Sequence, residues 1–160
     1  RGADGEHAWQ ALQGHVYGRG MHRAALIDGV GGFLRRCRDA GLAVSIVSHK
    51  TRHGHHDPDR VDLRWAALGW MRNQGFFDTG GFGLDPAAVH FADTRAEKVA
   101  HIAEIGCTHF IDDLEEVFAE PGFPPAVERI LFAGVAEPLP EGPFRALRTW
   151  REIEAHVLGA

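Results

Sequence analysis

Apolar positions along the chain alternate between helical spacing and short unbroken runs. Ala8, Trp9, Leu12 and Val16 recur at helical spacing over residues 6–16, and the pattern stops near Gly18 and Gly20. Asp28 is placed to cap a second helix, with Phe33, Leu34, Cys37 and Ala40 on one face and Gly41 as its stop. Residues 43–48 form a run rich in β-branched residues, too brief for a helix, and predict a buried strand. A polar loop over residues 50–59 precedes Val61, Trp65, Leu68 and Met71, which mark a helix ending near Gly75. Trp65, Met71 and Trp150 are expected in the core. A weak strand follows at residues 89–92. Thr94-x-x-Glu97 is a capping-box pattern opening a helix that contains Val99, Ile102 and Ala103 and stops at Gly106. A strand at 109–111, a short helix at 114–119, a proline-rich turn, a strand at 129–133 and a last helix over 144–158 complete the chain. In that last helix Arg145, Arg148 and Arg151 face out, and Leu147, Trp150 and Val157 face in.

Strand and helix alternate four times, which predicts an α/β fold with a parallel sheet covered by helices on both faces. At 160 residues the chain is the size of one domain. Its 44% hydrophobic and 24% charged composition is ordinary for a folded protein and excludes disorder and fibrous structure. The net charge of −5 argues against general binding to nucleic acid or an anionic membrane, both of which rest on neutralising phosphates. No apolar run approaches the roughly 20 residues needed to span a bilayer. Cys37 and Cys107 are isolated and form no disulfide framework, which fits a reducing, cytoplasmic setting.

Open parallel sheets bind ligands beyond the carboxyl ends of their strands, so the chemistry is sought there. The first predicted strand ends at Ser48, followed by His49 and Lys50; a hydroxyl and turn N–H groups at that point suit an anionic oxygen, or are plain turn chemistry. Lys98 falls near the start of a helix, where a cation opposes the macrodipole; it either meets a visiting anion or snorkels into solvent. Lysine occurs only at 50 and 98 among the 17 Lys and Arg residues, which favours a need for a compact point charge. Asp112 and Asp113 follow the third strand as adjacent carboxylates; they suit a hard cation such as Mg²⁺, or Asp113 caps the next helix.

In this order the residues resemble the haloacid dehalogenase superfamily of phosphohydrolases. Ile46-Val47-Ser48 is similar to the family's second motif, Lys98 to its third, and His109-Phe110-Ile111-Asp112-Asp113 to its fourth. The likeness covers residues 28–133. It implies a three-layer Rossmann-like sheet, Ser48 and Lys98 as catalytic groups holding the phosphoryl, His49 and Lys50 beside the substrate, and Asp112 and Asp113 on Mg²⁺. The family's first motif, D-x-D on the central strand between the strands of the second and fourth motifs, has no counterpart before Ser48. Asp57-Pro58-Asp59 has the spacing but lies in a polar loop after the second motif.

The resemblance therefore implies a family member truncated before its first, central strand, a reading joined to the non-Met start at Arg1. Residues 1–160 form one domain, with 1–27 a remnant of a helical cap or insert. The intact protein is expected to be a Mg²⁺-dependent phosphatase that acts on a small phosphorylated metabolite through an aspartyl-phosphate. This chain would be inactive alone. The alternative is a non-catalytic binding or interaction module that keeps the fold without the nucleophile. His49, His53, His55 and His56 with Asp57 form a histidine-rich tract, read either as a Zn²⁺ or Ni²⁺ site or as a polar loop over the site mouth. No Gly-x-Ser-x-Gly occurs, so a serine hydrolase of that kind is not expected.

Overall fold

The computed structural model describes residues 24–50, 52 and 62–159. The predicted helix over 6–16, the tract from His53 to Asp57 and most of the supposed cap remnant lie outside them. Among these residues, five α-helices and five strands follow in the order α1 (Val30–Asp39), β1 (Ile46–His49), α2 (Leu63–Asn73), β2 (Val89–Ala92), α3 (Arg95–Ile105), β3 (His109–Asp112), α4 (Glu115–Phe118), β4 (Glu128–Phe132), β5 (Arg145–Leu147) and α5 (Trp150–Leu158).

Helix ends follow local chemistry. Asp62 caps α2 by accepting from the N–H groups of Arg64 and Trp65. Thr94 caps α3 by accepting from Glu97, and Gly106 closes that helix at φ 66°, a left-handed conformation costly for any residue with a Cβ. α1 departs from expectation: its cap is Gly29 at φ 87°, and Asp28 makes no capping bond. A Cβ at Gly29 would stand 2.8 Å from that of Trp150, so glycine also allows α1 and α5 to approach.

All strand pairs are parallel, in two sheets ordered β1-β2 and β3-β4-β5. Their side chains alternate between two cores. Ile46, Ile111, Ile130 and Leu147 enter one core with Phe33, Leu34 and Cys37 of α1, Met71 of α2 and Ile153 of α5. Val47, Phe110, Leu131 and Ala146 enter the other with Val99 and Ile102 of α3 and Val117 and Phe118 of α4. β1, β3, β4 and β5 thus send side chains to both cores, and helices pack on each. The expected α/β arrangement of parallel strands flanked by helices is therefore present.

No ladder joins the β1-β2 pair to β3-β4-β5. Val47 of β1 and Phe110 of β3 nevertheless meet the same core.

Two expectations need correcting. Residues 144–158 are not one helix: Phe144 and Ala146 point into one core and Leu147 into the other, the pattern of a strand. The helix starts only after Thr149, whose hydroxyl accepts from Glu152 N–H while Glu152 reciprocates in a full capping box. Arg145 accordingly belongs to β5. Trp65 is 73% exposed, because Leu63, Ala67 and Met71 define the buried face of α2 and Trp65 lies on the opposite one. Met71 is in the core and Trp150 packs between Phe33 and Phe132, as expected.

Candidate functional site

β1 and β2 are parallel neighbours in register, His49 opposite Ala92, so Ser48 and the Thr94 cap of α3 stand at one edge of the sheet. Asp112 ends β3 at that same edge, because Lys98 of α3 reaches it. Ser48, Lys98 and Asp112 therefore share the carboxyl edge that parallel sheets present to ligands.

Lys98 and Asp112 are 6% and 9% exposed. Lys98 Nζ donates to Asp112 Oδ2 and lies 5.6 Å from the centroid of the Phe110 ring. Alternation explains the meeting: Asp112 follows Phe110 by two residues and so points to the layer that holds α3. The snorkelling alternative for Lys98 does not describe this side chain. Burial pushes the Asp112 carboxyl above its ordinary range, and Lys98 works against that rise as the next largest influence.

Asp112 Oδ1 accepts from Leu114 N–H at 3.0 Å, so both oxygens of this carboxylate are engaged. Asp113 is exposed, and it is not the cap of α4, whose cap residue is Leu114 without a side-chain bond. The adjacent carboxylates thus have separate tasks. Asp112 is engaged by an ammonium and an amide, and among the described residues no group of three His, Cys, Asp or Glu is placed to hold a metal.

Ser48 makes no hydrogen bond to Lys98 or Asp112 among the described residues, and it shares a side of its strand with Ile46. His49 Nε2 is 3.0 Å from the carbonyl of Asp93, and Lys50 N–H donates to Ala92 O, so the turn after β1 is laced to the end of β2. Burial lowers the pKa of the Lys50 amine. Arg52 pairs with Asp62 at 3.0 Å. Sequence reading missed Arg64, whose guanidinium lies between these turns, and Asp93, which receives it. The local signal was a cation in the first turn of α2, the same anomaly that singled out Lys98.

Burial raises the pKa of both thiols, Cys37 and Cys107, so neither has the depressed value of an activated nucleophile. Among the described residues no helix is long and apolar enough to cross a membrane. Comparison with protein-family models found no match, and comparisons with curated proteins and with solved structures found none either.

Proposed function

We propose that this edge binds a phosphoryl group, and that the chain is the phosphate-holding part of a haloacid dehalogenase-like phosphatase acting on a small phosphorylated metabolite in a reducing cytoplasm. The observation that carries the reading is that β1-β2 and β3-β4-β5 form separate parallel sheets whose strands share the same cores. The resemblance puts the D-x-D strand between β1 and β3. A strand added there, parallel to both, would deliver its last carboxylates beside Ser48, Lys98 and Asp112.

In this reading the described residues position charge and do not attack. The Ser48 hydroxyl and the turn that follows it hold phosphoryl oxygens, and Lys98 offsets the charge that develops on them in the transition state. Asp112 holds the Lys98 ammonium at the sheet edge. The nucleophile and the general acid belong to the D-x-D strand. Mg²⁺ remains part of the proposal through the resemblance, with Asp112 and the exposed Asp113 as the carboxylates that would hold it.

Orthovanadate, which adopts the geometry of a transferring phosphoryl group, tests the reading. A ligand that binds only the folded state at 100 times its Kd stabilises it by about 2.7 kcal/mol, so the melting temperature should rise by several degrees. Ser48→Ala and Lys98→Met should abolish the rise. An unchanged melting temperature in the parent chain, or an equal rise in both variants, would contradict the reading.

A further inference from the structure

The geometry points to Arg64 as the positioning residue that sets the shape of the anion-binding turn after β1, an inference that rests on the phosphoryl-binding reading for its purpose. Arg64 is the second residue of α2, where its charge opposes the helix dipole, so its placement needs compensation from elsewhere. Nε donates to the carbonyl of Lys50 at 2.9 Å. Nη2 donates to Asp93 Oδ1 at 2.6 Å, and the guanidinium lies 5.8 Å from the centroid of the Phe91 ring. One planar fork thus joins three elements: the turn leaving β1, the turn leaving β2 and the start of α2.

Each arm of this clamp is itself secured. Lys50 N–H donates to Ala92 O, so the residue whose carbonyl Arg64 holds is also tied to β2. Asp93 N–H donates to Glu97 Oε2 at 2.7 Å, which ties the Arg64 acceptor to the first turn of α3, one residue before Lys98. The Asp62 cap, paired with Arg52, fixes the start of α2 from which Arg64 extends. Arg64 therefore couples the backbone of Ser48–Lys50 to the helix that carries Lys98. It touches no reacting atom in this scheme; it acts through the turn.

Amide hydrogen exchange and inorganic phosphate titration on Arg64→Ala, Arg64→Lys and Asp93→Asn test the assignment. Arg64→Ala should speed exchange at the Lys50 amide by about tenfold without changing exchange in α5, because only the local opening is eased. It should also weaken phosphate binding by about tenfold through the displaced turn. Arg64→Lys, which keeps the charge and loses the fork, should fall between Arg64→Ala and the parent, and Asp93→Asn, which keeps an acceptor oxygen, should stay near the parent. A purely structural Arg64 would lower the melting temperature yet leave phosphate affinity unchanged well below it, and that result overturns the assignment. If the parent chain binds no phosphate, the phosphoryl-binding reading fails; Lys50 exchange then decides the clamp, and unchanged exchange in Arg64→Ala overturns it.

Discussion

Replacing Asp112 with alanine is expected to destabilise the fold by about 3–5 kcal/mol, the cost of leaving a buried ammonium without its counter-charge. The magnitude follows from the burial of both partners and from the two bonds that Asp112 makes, to Lys98 and to Leu114 N–H. Asp112→Asn should cost less than Asp112→Ala, because the amide still offers an oxygen to Lys98, but it also removes the counter-charge and should remain destabilising. The double variant Lys98→Met, Asp112→Leu should recover most of the loss, since apolar side chains of similar size avoid desolvating two ions. Urea unfolding of the four chains checks all three expectations.

The same residue sets a pH dependence. Burial raises the folded-state pKa of Asp112 above its ordinary 3.8, so the native chain holds that proton more tightly than the unfolded chain does. Its contribution is fully present below 3.8 and is lost as pH rises through the raised folded value. The stability gap between the parent and Asp112→Asn should move in favour of the asparagine variant as pH rises across that window.

Phe118→Ala is the second large effect, about 3–5 kcal/mol for removing a fully buried aromatic ring. α4 is only four residues long, too short to hold itself together, so its place depends on Val117 and Phe118. Phe118 meets the rings of Phe110, Phe123 and Phe144 at centroid distances of 5.6–6.4 Å. These contacts tie α4 to β3 and to the segment entering β5. Losing them frees the backbone that donates to Asp112 from Leu114, so the damage should extend to the Lys98–Asp112 pair. Urea unfolding gives the loss, and Lys98 ammonium resonances in the variant report the effect on the pair.

Much of the site was legible because strand ends are marked locally. Ser48 and Asp112 each sit where a short apolar run gives way to polar residues, Lys98 is marked as a cation near the start of a helix, and position in a parallel sheet does the rest. Alternation even tells which of Asp112 and Asp113 turns inward, once Phe110 is known to face α3. Arg64 was not legible, because its partners are a backbone carbonyl 14 residues away and a carboxylate 29 residues away. β5 was missed for a different reason. Three residues carry too little periodicity to separate a strand from the first turn of a helix, although Thr149 and Glu152 did spell the capping box that marks the true start. Trp65 shows the limit of residue type as a guide: tryptophan is usually buried, and here the helix face overrules it.

The central claim is that the carboxyl edge at Ser48 and Lys98 holds a phosphoryl group. Titration of the ¹⁵N-labelled chain with inorganic phosphate locates the site directly. The account predicts saturable shifts at the amides of Ser48, His49 and Lys50 and at the Lys98 ammonium, all lost together in Lys98→Met. Shifts confined to other parts of the chain, or unchanged in Lys98→Met, would contradict it.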